Sequence, residues 1–341
     1  MVTSHCVKTD KFLKNINDMT TRMVFLPVLT ETACSWAERL SERYPQVTIS
    51  TPSVDDAPRE LANADAAFGT LTTELLAAAK QLKWLQAPMA APPAGFYFPE
   101  LVSHPLKVTN FRGIYNDHIS YHILGLMLSF TKHLHNYRDQ QRNREWKPLT
   151  GADYNNIYLP ACTVLMVGCG GIGLETARLL KTIGCRVVGT DARLTIKPEW
   201  LDELHPSEAL DSLLPVADFV VLTVPHTPAT EGFFNAERFA RMKSSAIFIN
   251  IGRGMTTRLD DLNTALRSGQ IRGAALDVYE VEPLPSNHPL WDAPNTLLTP
   301  HSAVAGAAHL DERRYAIIED NLGRFLRGDA LYNVVDKENW F

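Results

Sequence analysis

The stretch VLMVGCGGIGLETARLL constrains this chain more than any other, because Gly168, Gly170 and Gly173 form G-x-G-x-x-G between a run of β-formers and a run with helical spacing. Gly168 permits a tight turn, Gly170 lets backbone approach a pyrophosphate, and Gly173 lets helix and strand pack closely. The start of the following helix offers N–H groups and the positive end of a dipole, so an anion is expected there. Flanked by a strand and a helix, the motif reads as a dinucleotide-binding loop rather than a bare turn. The next strand, RVVGTD, ends at Asp191, 18 residues beyond Gly173. That is where the fingerprint expects an acid to accept hydrogen bonds from the adenosine ribose, which favours NAD over NADP because a carboxylate repels a 2′-phosphate. Arg193, two residues on, reads as a surface charge that could soften the preference.

The length of 341 residues suggests two domains at roughly 150 residues each. From Met23, apolar runs alternate with helical stretches: MVFLPVL, residues 32–44, VTIS, ADAAFG, residues 72–80, LKWLQ. A second series follows Cys162: TVLMVG, residues 174–183, CRVVGT, a helix-rich stretch to Leu214, DFVVLTV, SAIFIN, residues 259–268, GAALDV and TLLTP. Such alternation predicts two parallel sheets with crossover helices. Between them, Ile119, His122, Ile123, Leu126, Met127, Phe130 and Leu134 share one helical face, predicting a single long helix over 119–135. Residues 310–326 are also helical and must pack on something already built.

Hydrophobic residues make up 45% and charged residues 21%, the balance of a folded soluble protein. The net charge of −5 lacks the basic excess that phosphate backbones or anionic membranes demand, and no run approaches the roughly 18 apolar residues of a membrane span. The five cysteines lack a C-x-x-C pair, which fits a reducing cytoplasm and no metal site. His118 and His122 lie four apart but lack the glutamate of H-E-x-x-H, so no metal is assigned to them. Cys169 reads as a small packing residue. Residues 1–22 read as an extension that initiation at Met19 or Met23 would remove.

Three segments belong together: FINIGRG with Arg253, ALDVYEVEPLP with Asp277 and Glu282, and LLTPHSA with His301, each just past a strand. In open parallel sheets ligands bind beyond the carboxyl ends of strands, so these groups should face the crevice of the glycine loop. With these motifs in this order, the chain resembles the D-isomer-specific 2-hydroxyacid dehydrogenases, the group that includes phosphoglycerate dehydrogenase and glyoxylate/hydroxypyruvate reductase. The likeness is dense from about residue 115 to 307 and weak before 100. It implies an α/β protein of two doubly wound parallel-sheet domains. One is a discontinuous flavodoxin-like substrate domain, 23–117 plus 306–335, and the other a Rossmann domain, 118–305. It implies a catalytic set of Arg253, Glu282 and His301, cofactor contacts from Gly171, Ile172, Asp191, Ile251 and Asp277, and a homodimer. The apolar helix and residues 146–159 fit such a dimer.

Reduction of a 2-oxo acid puts a hydride on C2 and negative charge on its oxygen, so a positioned acid must supply a proton; His301 suits that task. Glu282 would hold the ring and favour its charged form, and Arg253 could fork onto a carboxylate. One departure from the family concerns the turn after WLQ, where small residues and glycines offer N–H groups to the substrate carboxylate. Here the turn is APMAAPP, and Pro92 and Pro93 have no N–H. Either Met89, Ala90 and Ala91 supply the donors or the substrate sits differently. The expected activity is interconversion of a 2-oxo acid and a D-2-hydroxy acid with NADH, of the glyoxylate/hydroxypyruvate type or broader. The rivals are an NAD-sensing corepressor-like protein and a formate or phosphite dehydrogenase on the same fold.

Overall fold

The computed structural model describes residues 21–90, 95–150 and 157–338. The chain divides into two compact units, one that runs to Ile114 and resumes at Ala308, the other Tyr115–Ala307.

The first unit holds β1 (Arg22–Phe25), β2 (Thr48–Ser50), β3 (Ala66–Phe68), β4 (Trp84–Gln86) and β5 (Lys107–Thr109) in the order β2-β1-β3-β4-β5. All four pairings are parallel. The long C-terminal helix Leu310–Arg327 returns to this unit. It buries Tyr315, Ile318 and Leu322 and sets Phe325 against Trp84, the rings tilted with centroids 5.7 Å apart. The chain after it is pinned to the sheet edge, where the Val335 N–H donates to the Val108 carbonyl at 2.8 Å. Strand β5 falls outside the apolar runs of the sequence, since three residues with an exposed lysine carry too little pattern to announce a strand.

The second unit holds β6 (Thr163–Val167), β7 (Arg186–Asp191), β8 (Glu203–Pro206), β9 (Phe219–Leu222), β10 (Ile247–Asn250), β11 (Gly273–Leu276) and β12 (Thr296–Leu298). Their order is β12-β11-β10-β9-β6-β7-β8, again all parallel. The central strands FVVL, IFIN and GAAL are wholly buried, as befits a parallel sheet covered on both faces. The strand β8 lies inside a stretch read as helix-rich. It is a sheet edge of sequence ELHP, half-buried and without alternation, so neither period marks it.

The helix expected over 119–135 is shorter and earlier, Asn116–Thr131, and a second helix, Leu134–Asn143, follows it. The break falls at His133, which takes a left-handed φ of 53°. The apolar stripe misleads at its end because Leu134 is 53% exposed rather than on the buried face. Helix Asn116–Thr131 packs on the helix that follows the glycine loop, with Ser120 and Thr176 hydroxyls 2.9 Å apart in the contact.

Candidate active site

Strand β6 delivers the chain into Gly168, whose φ of +95° is a left-handed conformation that favours glycine. A Cβ there would also lie 3.0 Å from Val224 Cγ1, and the Thr223 hydroxyl donates to the Gly168 carbonyl at 2.7 Å. Gly170 precedes the helix Gly171–Thr182, which begins without a side-chain cap. A Cβ on Gly170 would meet nothing within 4 Å, so the backbone is bare toward open space where an anion could approach. At Gly173 an added Cβ would stand 2.2 Å from the Gly168 carbonyl oxygen, so only glycine lets the helix seat on the turn. The Asn116 side chain lies against Gly171, 2.5 Å from where a Cβ would be. The Ile172 carbonyl accepts from Ser120 and Thr176. This bare, tightly turned loop at an uncapped helix start fits the pyrophosphate of a dinucleotide.

Asp191 ends β7 beside that loop. Its carboxylate accepts the Cys169 N–H at 2.9 Å through one oxygen and the Arg193 and Leu194 N–H groups at 2.9 and 3.0 Å through the other. Burial works to raise this carboxyl, but the three backbone donors and the Arg193 charge outweigh it and hold it below its ordinary value. Asp191 is therefore ionised at neutral pH. The Cys169 thiol turns inward against Gly189, and burial together with the Asp191 charge pushes it up to about 12, so it is an unreactive packing group.

Strand β10 ends at Asn250, fully buried, whose amide organises the next loop. Its oxygen accepts the Gly252 N–H at 2.9 Å, while its nitrogen donates to the Arg253 carbonyl at 3.2 Å and to Thr257 Oγ1 at 2.9 Å. This clamp holds the backbone of Arg253. Although Arg253 is open to solvent, desolvation lowers its guanidinium and the Glu282 charge opposes that, which places the two within electrostatic reach. Ile251 is 6% exposed and packs into the core under the sheet.

Past β11, Asp277 is 1% exposed, and its carboxylate accepts the Thr299 hydroxyl at 2.6 Å and the Ser302 and Ala303 N–H groups at 2.8 and 3.0 Å. It thus ties the β11 end to the turn that carries His301. His122 reaches the same place, with Nε2 3.1 Å from Thr299 Oγ1. Glu282 accepts the Tyr279 N–H at 3.0 Å with one oxygen and meets His301 Nδ1 at 2.7 Å with the other. The His301 side chain remains half-exposed. Its backbone has a φ of 50°, a left-handed value costly for a residue with a Cβ and common where a side chain must be aimed.

Glu282 and His301 are thus in direct contact, the Glu282 charge acts on Arg253, and Asp191 is joined to the glycine loop through Cys169. Met89 and Ala90 belong to the other unit, where Met89 is 45% exposed and the Ala90 carbonyl accepts from Asn110 at 3.0 Å. Ala91, Pro92 and Pro93 lie outside the described residues, as do 151–156 of the segment read as a dimer contact. Asn250, Tyr279 and Thr299 carry parts of the site that received no role from sequence, although all three stand inside the motifs quoted for it. Among the described residues, no cluster of three or more His, Cys, Asp or Glu could hold a metal, and no helix is long and apolar enough to cross a membrane.

Residues 124–303 match the family model described as D-isomer specific 2-hydroxyacid dehydrogenase, NAD binding domain. A glyoxylate reductase of Thermofilum pendens is 32% identical over 300 residues, covering 84% of this chain and 86% of that protein. Among solved structures, a D-isomer specific 2-hydroxyacid dehydrogenase of Xanthobacter autotrophicus in complex with NADPH superposes with a TM-score of 0.78 at 27% identity, covering 95% of this chain and all of that one. An NADPH-dependent glyoxylate/hydroxypyruvate reductase of Sinorhizobium meliloti, in complex with NADP and sulfate, gives a TM-score of 0.73 at 27% identity, covering 94% and 100%.

Proposed function

Since the chain belongs to the D-isomer specific 2-hydroxyacid dehydrogenase family, we propose that it reduces a 2-oxo acid to the D-2-hydroxy acid, and the reverse, with Arg253, Glu282 and His301 as its catalytic residues. The observation that carries this reading is the 2.7 Å contact of His301 Nδ1 with Glu282, at the strand ends of the sheet that bears the glycine loop. A nicotinamide dinucleotide, when bound, supplies or accepts the hydride. Gly168, Gly170, Gly171, Ile172 and Gly173 would hold its pyrophosphate, and Asp191 its adenosine ribose.

The chain's own residues then divide the work. With Nδ1 engaged by Glu282, His301 presents Nε2 as the atom that gives a proton to the C2 oxygen as charge develops there. Glu282 orients the ring through its contact with Nδ1. Arg253 pairs its fork with the substrate carboxylate and adds fixed positive charge beside the reacting carbonyl. A formate dehydrogenase would give a Glu–His pair no hydroxyl proton to move, which favours the hydroxy acid. An intact triad likewise favours catalysis over sensing alone.

NADH is the proposed cofactor, because an ionised Asp191 opposes a 2′-phosphate, although the relatives captured with NADP and NADPH make both worth measuring. Four free cysteines among the described residues accord with a reducing compartment such as the cytoplasm. A homodimer through the segment with Trp146, 96% exposed, is the proposed assembly. The test of function is a panel of glyoxylate, hydroxypyruvate, pyruvate and phenylpyruvate with NADH and NADPH, followed by nicotinamide absorbance. Turnover of at least one acid to the D product supports the reading. Cofactor binding without turnover of any acid would favour sensing.

A further inference from the structure

Tyr279 touches all three arms of the candidate site, and we propose that it is the positioning residue that sets their mutual geometry. The proposal rests on the 2-oxo acid reductase reading above. The phenol, in a residue only 6% exposed, lies 3.2 Å from the Leu276 carbonyl that ends β11 and 2.9 Å from the Thr299 carbonyl just past β12, sharing one proton between them. The Thr299 carbonyl also accepts the His301 N–H at 3.0 Å. The phenol therefore grips the same oxygen on which the left-handed turn of His301 closes. Tyr279 then donates its backbone N–H to Glu282 at 3.0 Å. On its other side, a Cβ added to Gly254 would lie 1.8 Å from the Tyr279 carbonyl oxygen, so the loop that carries Arg253 is seated directly on the Tyr279 backbone.

Burial, reinforced by the Asp277 and Glu282 charges, pushes the phenol above its ordinary value, so it remains a proton donor across the working pH range. Phenylalanine at this position would keep the ring packing and both backbone contacts and lose only the tie to Leu276 and Thr299. The proton donor would then be freed from a fixed geometry, and misplacement by about 1 Å is enough to cost roughly a hundredfold in rate.

The experiment is Tyr279→Phe in the full chain, with three readouts. We expect kcat for 2-oxo acid reduction to fall about tenfold or more, with the oxo-acid KM and the Kd for NADH within about twofold of wild type. Amide hydrogen exchange should accelerate at 299–303 and stay unchanged in β6 and β7. Wild-type kcat and wild-type exchange at 299–303 would overturn the proposal. So would faster exchange throughout the sheet with loss of NADH binding, which would make the tyrosine a packing residue. If wild type itself reduces no 2-oxo acid, the reductase reading fails separately, and unchanged exchange at 299–303 in the variant would still overturn the phenol's hold on the turn.

Discussion

His301 Nδ1 and Glu282 Oε2 stand 2.7 Å apart, the one in the turn after β12 and the other in the loop after β11. The second Glu282 oxygen is held by the Tyr279 N–H, so the carboxylate is fixed at both ends. Glu282→Gln keeps the shape and removes the charge. It should lower kcat by roughly 10- to 1000-fold while the Kd for NADH stays within about twofold, since the loss falls on proton transfer. Steady-state rates combined with fluorescence titration of NADH check this, and equal losses in rate and cofactor binding would contradict it.

The glycines of the loop should separate folding from binding. Gly173→Ala places a methyl 2.2 Å from the Gly168 carbonyl oxygen and should destabilise the protein by about 1–3 kcal/mol, the usual cost of overpacking. Gly170→Ala meets no neighbour within 4 Å, so its melting temperature should stay near wild type while NADH affinity drops at least tenfold, or about 1.4 kcal/mol. Thermal melts and titrations of both variants distinguish them. Equal melting temperatures would show that the helix does not need its close seat.

Asp191 should act on both stability and cofactor choice. Its carboxyl is held below its ordinary value, so its stabilising effect is complete above the unfolded value of about 3.9 and is lost as pH falls through the lower folded value. Asp191→Asn should therefore melt lower than wild type at pH 7, and the gap should narrow below about pH 4. The same change should raise the NADPH to NADH ratio of kcat/KM by about tenfold, since a repelling charge is gone. A ratio that does not move would show that the carboxylate does not face the 2′ position.

Arg253→Lys retains a positive charge but loses the fork that matches a carboxylate. The oxo-acid KM should rise by about tenfold or more and kcat should also fall. Initial-rate kinetics over a range of oxo-acid concentration tests this, and an unchanged KM would remove the substrate carboxylate from Arg253.

Much of this architecture is legible before any coordinates, because a parallel sheet needs continuous apolar runs and its ligand chemistry gathers where those runs stop. VLMVGCGGIG, NIGRG, DVYEVEP and TPHSA each mark a strand end, and the structure brings Glu282 and His301 together from them. Edges are harder to see. Strand β8 is half-buried ELHP, paired with β7 at the end of the sheet, and lacks both the apolar run and the alternation by which strands are found. The helix break at His133 hides because an apolar residue, Leu134, continues the stripe across it. Support residues hide for a different reason. Asn250, Tyr279 and Thr299 act through hydrogen bonds to backbone atoms of other loops, a partnership that spacing along one segment does not record.

The most direct measurement of the central claim is oxo-acid reduction by wild type and His301→Ala, with NADH affinity determined in parallel. Wild type should reduce at least one 2-oxo acid to its D-2-hydroxy acid, and His301→Ala should lose roughly 10²- to 10⁴-fold in kcat while binding NADH as wild type does. A His301→Ala protein that turns over at the wild-type rate would contradict the assignment of His301 as the proton donor, and with it the mechanism.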